Sequence, residues 1–138
     1  MHRMMMKTFL AAVLACGSLY AGSAAGSDLE SNMTELNRHM VELQDAFIRG
    51  DKAKARGAVT ALETESRKLL ANEAGMQRML PKGKQHLVRV AVTAARMIEE
   101  DSAILKESLD DTRRERAQEA YLGIQRACMR CHNLVRDW

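Results

Sequence analysis

The feature that most constrains the fold is an unbroken apolar stripe near the start of the chain. Its six members recur at spacings of 4, 3, 4, 3 and 4 residues: Leu29, Met33, Leu36, Met40, Leu43 and Phe47. This spacing follows the 3.6-residue turn of an α-helix and places all six on one helical face. The polar residues between them are expected in water: Glu30, Asn32, Glu35, Asn37, Arg38 and Glu42. The stripe therefore predicts one long amphipathic helix.

Capping residues suggest where this helix and the next begin and end. Ser27 or Asp28 is expected to cap the first helix, because a short oxygen-bearing side chain accepts from the free N–H groups of a first turn. Gly50 is expected to end that helix. Asp51 is expected to cap the second helix, which ends near residues 72–75.

Two further helices follow. Residues 76–84 hold the only proline, Pro81, and are predicted to form the longest loop. A third helix is predicted from about Gln85, and Asp110 or Asp111 is expected to cap a fourth. The inward-facing residues predicted for the last three helices are Ala55, Val59, Leu62 and Leu69, with Ser66 a weak position; Leu87, Ala91, Ala94, Ile98 and Leu105; and Ala117, Tyr121, Ile124, Cys128 and Val135.

Composition excludes most β architectures. Aromatic residues make up 4% of the 138 residues, and the chain has one proline and eight glycines. Sandwiches and barrels need aromatic and β-branched strands separated by frequent turn residues. We therefore predict one all-α domain, an antiparallel up-down-up-down four-helix bundle. A helical hairpin that dimerises is the alternative.

The N-terminus has the three parts of a secretory signal. Arg3 and Lys7 supply its basic end, a short apolar stretch follows, and small residues lead to Ala25. The apolar stretch is shorter than the roughly 20 residues of a membrane-spanning helix. We interpret residues 1–25 as a signal peptide and residues 26–138 as a domain exported to a bacterial periplasm.

Cys16 allows a second interpretation of this segment. Val13-Leu14-Ala15-Cys16 resembles a bacterial lipobox, so that lipid on Cys16 would anchor the domain through a small-residue spacer. Otherwise Cys16 is an apolar residue of the signal. Cleavage after Ala25 leaves two cysteines and lowers the net charge from +3 to about +1, with 19 basic and 18 acidic residues. Such a balance gives no reason to expect nucleic acid as a partner.

The chemistry of the chain is concentrated near its C-terminus. Cys128-Met129-Arg130-Cys131-His132 matches the five-residue pattern at which haem is attached in c-type cytochromes. The cysteines bond the haem vinyl groups and the histidine binds the iron. Positions i, i+3 and i+4 of a helix share one face, which suits this double task.

The cysteine pair also allows three interpretations other than haem attachment, and each fits the sequence less well. Structural zinc needs four ligands, and His39 and His86 are poorly spaced to complete a set. A redox dithiol is expected at a helix start in a βαβ unit, which this chain lacks. A disulfide between residues i and i+3 of a helix has awkward geometry. Both histidines are expected on the surface.

The second iron ligand is expected to be a methionine. His132 lies about 9 Å along the helix axis from the end of the chain, and Met33 lies about 7.5 Å from the start of its helix. Neighbouring antiparallel helices would bring the two to one height. Met40 lies about 18 Å in and is expected deeper in the core. Met76 or Met79 on the predicted loop could compete with Met33.

A family resemblance is carried by these same residues. The segment Asp28-Leu29-Glu30-Ser31-Asn32-Met33-Thr34-Glu35-Leu36-Asn37 resembles the first helix of the cytochrome b562 family, which are small periplasmic four-helix bundles. The resemblance implies that Met33 and His132 are axial haem ligands and that Arg136 lies near the haem propionates. The Cys128/Cys131 pair departs from the founding type, whose haem is not covalently bound, and indicates a c-type variant.

The ending is also similar to that of class II cytochromes c. Members of the c-prime group have a vacant distal face that binds small gases, whereas their low-spin relatives fill it with a methionine of the first helix. Met33 favours the filled form.

These resemblances imply a periplasmic electron carrier with one covalent haem c, six-coordinate through His132 and Met33. No acid, base and nucleophile set is evident, so no enzymatic activity is expected. The alternative is a five-coordinate, c-prime-like protein that binds NO or CO, and a third reading is an exported structural bundle without haem. The expected partners are periplasmic redox proteins, with no membrane span, and the protein is a monomer or homodimer. Arg126, Arg130 and Arg136 could help to dock an acidic partner or could simply be a solvated helix face.

Overall fold

The computed structural model describes residues 21–110 and 114–136, and within them it is all-α. Five α-helices and one 3-10 helix follow one another without a strand in these ranges: α1 (Ala21–Arg49), α2 (Lys52–Leu70), α3 (Glu73–Met79), the 3-10 helix (Lys82–Leu87), α4 (Val88–Ser108) and α5 (Arg114–Arg136). The predicted all-α class is confirmed. In the part of the chain that is described, none of the helices combines the length and apolar character that a bilayer crossing requires.

α1 begins earlier than the sequence predicted. Its first residue is Ala21, so the expectation that Ser27 or Asp28 caps it is wrong. Three of residues 21–27 are alanine, the strongest helix former, and no proline interrupts them. Most of the predicted signal peptide, including the lipobox at Cys16, lies outside the described residues.

The end of α1 follows the prediction. Gly50 has φ of +69°, which favours glycine because a Cβ is strained there. Its N–H donates to Phe47 O (3.2 Å), and the N–H of Asp51 donates to Ala46 O (2.9 Å). These two bonds form a Schellman motif. Asp51 then caps α2 as predicted, since its Oδ1 accepts from the N–H of Lys54 at 2.9 Å.

The predicted loop at residues 76–84 is wrong. α2 ends at Leu70, and Asn72 starts α3 because its side chain accepts from the N–H of Gly75 at 3.0 Å. Leu80 is extended, as a residue before proline prefers to be. Pro81 follows, and the 3-10 helix takes up the six residues after it. α4 therefore begins at Val88 rather than near Gln85.

The predicted cap of the last helix is only partly described. Asp110 lies in a turn, is exposed and pairs with Arg56 of α2, whereas Asp111 lies outside the described residues.

The main helices pack in the order α1 on α2, α2 on α4 and α4 on α5. The inward-facing residues predicted for α2 are buried as expected. Ser66, the weak position among them, is fully buried and donates to Glu63 O at 2.9 Å. Four of the five inward-facing residues predicted for the third helix are buried in α4. The fifth, Leu87, lies just before α4 and is half-buried. Ion pairs from Lys106 to Glu63 (2.5 Å) and from Arg67 to Glu99 (2.7 Å) join α2 to α4 outside this core.

The buried face of α1 is turned by about one residue from the predicted stripe. Its fully buried residues recur at spacings of 3, 4, 3, 4 and 3: Leu29, Asn32, Leu36, His39, Leu43 and Ala46. Met33, Met40 and Phe47 are half-buried beside them. The prediction that Asn32 and His39 face water is therefore wrong.

Polar contacts explain how both residues can be buried. The amide of Asn32 donates to the backbone oxygen of Glu65 (3.1 Å) and to its carboxylate (2.5 Å), which satisfies two buried groups at once. The ring of His39 contacts Glu42 (3.0 Å) and Arg38 (3.1 Å) of its own helix. Asn32 joins α1 to α2 and leaves the next residue, Met33, to face away from that contact.

Candidate functional site

An apolar cavity of about 450 Å³ lies between α1 and α5. α4 contributes three alanines and one isoleucine to its lining: Ala91, Ala94, Ala95 and Ile98. α2 and α3 close it with Leu69 and Met76. Because alanine side chains end at Cβ, this stretch of α4 leaves space that larger residues would fill. The volume falls within the range of small-molecule and cofactor sites.

The α5 wall carries the predicted attachment motif. Cys128, Cys131 and His132 all line the cavity from one face of the helix, as their i, i+3 and i+4 spacing predicted. Both cysteines are free and half-buried, and they pack against the hydrophobic core. The structure thus brings two thiols and an imidazole to the same apolar space.

Burial determines the protonation of these thiols. It raises the pKa of Cys128 to about 11, with the neighbouring Cys131 adding to the rise, and it raises the pKa of Cys131 as well. Both groups are therefore neutral thiols near pH 7. Cysteines of redox dithiols have the opposite property, a lowered pKa that exposes a thiolate.

A zinc site would need His39 or His86 to lie beside the two cysteines. Among residues 21–110 and 114–136, no group of three or more histidine, cysteine or acidic side chains is arranged to hold a metal ion. His86 is exposed, as predicted, and His39 is buried among residues of α1. Neither is among the residues that line the cavity.

The α1 wall supplies the candidate methionine. Met33 and Met40 line the cavity together with Leu36 and Asn37. Met40, which was expected deeper in the core, is half-buried and shares this wall. The face of α1 turned away from Asn32 thus presents two thioethers to the space that His132 borders.

The two competing methionines differ from each other. Met76 lies on α3, is 4% exposed and lines the cavity. Met79 is 41% exposed and is not among the lining residues. Three methionines, Met33, Met40 and Met76, thus line the cavity from helices other than α5.

Sequence reasoning missed two lining residues of α5. Gln125 lies three residues before Cys128 and Met129 lies one residue after it, and both border the cavity. The amide of Gln125 donates to the Tyr121 hydroxyl at 3.1 Å, which fixes a polar group at the edge of the apolar space. Helical spacing from His132 would have found Gln125, because residues i and i+7 share a face.

Arg136 and the end of α5 lie outside the cavity itself. Arg136 is exposed in the last turn, one turn beyond His132, and is not a lining residue. Lys84 of the 3-10 helix donates to the backbone oxygen of Leu134 at 3.2 Å. This contact ties the segment before α4 to the last turn of α5, at the end of the helix that bears the attachment motif.

No family model, curated protein or solved structure matches the chain. The chemistry of the cavity walls is the observation that bears on what the cavity binds.

Proposed function

We propose that the protein is a periplasmic monohaem c-type cytochrome that carries electrons. One haem c would occupy the cavity, with Cys128 and Cys131 bonded to it and His132 and Met33 as axial ligands of the iron. The observation that carries this proposal is that all four side chains, from two separate helices, line a single apolar cavity.

The cavity walls suit haem in shape and chemistry. Alanines and methionines give an apolar lining, and the attachment residues lie along one side of it. Cys128 and Cys131 would hold the haem covalently: each thiol would add across one vinyl C=C, with its sulfur on one carbon, its hydrogen on the other and no leaving group. In this way one helix would hold the porphyrin edge while its imidazole reaches the centre.

The fold we propose around this cavity is the antiparallel up-down-up-down four-helix bundle. It is supported by contacts whose order reverses between neighbouring helices: Asp45 with Lys54 and Asn32 with Glu65, then Glu63 with Lys106 and Arg67 with Glu99. In such a bundle the start of the first helix lies beside the end of the fourth. This arrangement would set Met33 opposite His132.

Bound haem supplies a one-electron couple between Fe(II) and Fe(III). The side chains of this chain decide how that couple is used. Because the Met33 thioether and the His132 imidazole would take both axial positions, no place remains for a substrate, and the function is electron transfer rather than catalysis. The mainly apolar walls place few polar groups around the site, which favours a small rearrangement between the two charge states.

The test is the protein matured in a host with a c-type haem attachment system. We expect haem that stays with the polypeptide after denaturation, together with low-spin bands and a ferric methionine–iron charge-transfer band. High-spin bands with ready carbon monoxide binding would favour the gas-binding alternative, and a colourless product would contradict both. The intact mass of the same sample tests cleavage after Ala25 and lipid on Cys16.

The axial methionine is tested by three matched variants. Met33→Ala is expected to convert low-spin iron to high-spin and to lower the reduction potential, while haem stays attached, because the thioether ligand is lost. Met40→Ala and Met76→Ala remove a methionine from the same cavity and are expected to leave the spectrum unchanged. If one of these controls loses the charge-transfer band instead, that residue is the ligand and Met33 is not.

A further inference from the structure

The outer face of α5 forms a second concave surface, which we call the α5 groove. Its principal residues are Val90 of α4 and Leu122, Arg126, Met129, Arg130 and Asn133 of α5. Met129 and Gln125 line both this groove and the cavity. These two side chains therefore lie between the candidate haem site and the α5 groove.

The centre of the α5 groove is apolar and exposed. Leu122 and Met129 are 47% and 48% exposed, and their spacing of seven residues sets them in line along the helix. Each lies next to an arginine: Arg126 is four residues after Leu122, and Arg130 follows Met129. Exposed apolar side chains rimmed by charge are typical of protein interaction sites.

The two stretches of sequence that supply the α5 groove are rich in basic residues. Residues 74–98 and 120–136 contain no aspartate or glutamate, although the chain has 18 of them. The same two stretches hold eight lysines and arginines: Arg78, Lys82, Lys84, Arg89, Arg96, Arg126, Arg130 and Arg136. Such segregation creates a positive field that draws negatively charged surfaces toward this part of the molecule.

The two arginines of the α5 groove are available to a partner. Among the described residues, no carboxylate forms an ion pair with Arg126 or Arg130, and Arg130 contacts the sulfur of Met97 at 3.7 Å. Burial raises the pKa of Asp101, and nearby Arg126 opposes that rise. Asp101, however, lies on α4 against Gly123 and is not a groove residue.

We propose that the α5 groove is the docking site of an acidic redox partner protein. Its carboxylates would face Arg126 and Arg130 while an apolar contact covers Leu122 and Met129. One electron would then cross the wall at Met129, taking the iron of this protein from Fe(II) to Fe(III) and reducing the partner by one electron, with no bond or proton transferred. This proposal rests on the proposed function.

Charge favours a partner of another kind over a second copy of the chain. On a two-fold axis the same patch would lie on both sides, so that Arg126 and Arg130 would face positive charge. A protein face with carboxylates around an apolar centre is complementary both to these arginines and to the exposed Leu122 and Met129.

The first experiment follows oxidation of the reduced holoprotein in a stopped-flow instrument. Hexacyanoferrate(III), a trianion, and tris(phenanthroline)cobalt(III), a trication, serve as probes. Arg126→Glu/Arg130→Glu is compared with Arg89→Glu/Arg96→Glu, which makes the same charge change at exposed residues of α4 outside the α5 groove. At low salt we expect the groove variant to slow oxidation by hexacyanoferrate about fivefold or more and to speed oxidation by the cobalt complex. The control removes charge from the same positive field but not from the α5 groove, so we expect it to change each rate clearly less than the groove variant does.

The second experiment measures docking itself with fluorescent polyglutamate. We expect polyglutamate to bind the wild-type protein and the α4 control and to slow the oxidation of both by hexacyanoferrate. We expect neither binding nor slowing in the groove variant. Equal losses in the two double variants would show a general field rather than a site and would overturn the proposal. So would groove-dependent binding to phosphatidylglycerol vesicles without binding to polyglutamate, which would assign the surface to a membrane.

The two proposals fail differently. Absence of covalent haem in the matured protein contradicts the proposed function and, with it, the electron path. If the protein holds normal low-spin haem but its oxidation rate with each probe does not depend on Arg126 and Arg130, only the docking proposal for the α5 groove is contradicted.

Discussion

α1 and α5 meet at one end of their contact and stand apart at the other. Near the end of α1, the ring of Phe47 packs edge-on against Tyr121 of α5, with centroids 5.4 Å apart and planes at 63°. About 21 Å earlier along α1, at 1.5 Å per residue, Met33 shares a cavity with His132 instead. The same pair of helices is closed at one end and open at the other.

Side-chain size along α4 follows the same division. At the open end α4 presents Ala91, Ala94 and Ala95. Toward the closed end it presents Leu105, and Leu109 follows directly after its last residue; both leucines are buried. Two rings and two leucines fill one end, while alanines and flexible methionines leave the other unfilled. A binding space can thus be made within regular helices by residue choice alone.

The largest effect is expected for the thiols at the open end. A pKa of about 11 for Cys128, instead of the ordinary 9.0, lowers its thiolate fraction at pH 8 about a hundredfold, because the apolar cavity disfavours the charge. Alkylation of Cys128 by iodoacetamide in the haem-free protein, followed by mass spectrometry, should be slower by that factor than in the unfolded chain. The rate should rise with pH up to about 11.

The same shift gives a pH dependence of stability. Since the folded protein keeps the thiol proton to a higher pH than the unfolded chain, the stabilisation is complete below about pH 9 and is lost as the pH rises toward 11. Cys128→Ser should lack this loss. Fast alkylation at pH 8 with the fold intact would mean that water fills the open end.

Side chains at the closed end are expected to contribute more to the free energy of unfolding than those at the open end. Phe47→Ala should lower the free energy of unfolding of the haem-free protein by about 2–3 kcal/mol, since a half-buried ring and its contact with Tyr121 are lost. Met40→Ala at the open end should cost about 1 kcal/mol, because its side chain already borders empty space. Urea unfolding followed by circular dichroism measures both. Equal costs would remove the distinction between the two ends.

Between the two ends, α4 and α5 approach closely at Gly123. A Cβ there would meet the Asp101 carboxylate, which must turn aside and so offsets the gain in helix propensity from alanine; Gly123→Ala is expected to leave the free energy of unfolding within about 0.5 kcal/mol of the wild-type value. Gly57→Ala is the matched control, because nothing lies within 4 Å of its Cβ on α2, and it should stabilise by up to about 1 kcal/mol. Thermal unfolding curves that rank the two variants the other way would contradict the close approach.

A small effect is also expected from filling the open end. Ala91→Leu should stabilise the haem-free protein by about 1 kcal/mol, because its added methyl groups enter apolar space, and it should reduce haem attachment. Ala103→Leu, an exposed site on α4, should change neither. The unfolding midpoint and the haem-to-protein absorbance ratio report the two effects. A destabilised Ala91→Leu variant would show that the space is too small.

Features fixed by a few neighbouring residues were predictable from the sequence. The α1 stop at Gly50, the Asp51 cap and the common face of Cys128, Cys131 and His132 each depend on contacts within one or two helical turns. Helical spacing determines such features, whatever the rest of the chain does.

Features that depend on a distant partner were not predictable. Asn32 and Met33 are adjacent on α1, and only the position of Glu65 on α2 decides which of them is buried. α3, with seven residues, is too short for its periodicity to show, and Pro81 beyond it suggested a loop. The cavity depends on a combination of α1, α4 and α5 that no single stretch of sequence displays.

The contact between Phe47 and Tyr121 has a consequence for the order of folding. Neighbouring helices in the chain pack together, so loop closure for α1 with α2 and for α4 with α5 is short and rapid. Phe47 and Tyr121 are 74 positions apart, and their meeting is a late event by the same reasoning. Until then α1 does not cover the cavity, and the thiols of α5 stay accessible from the side on which α1 later closes.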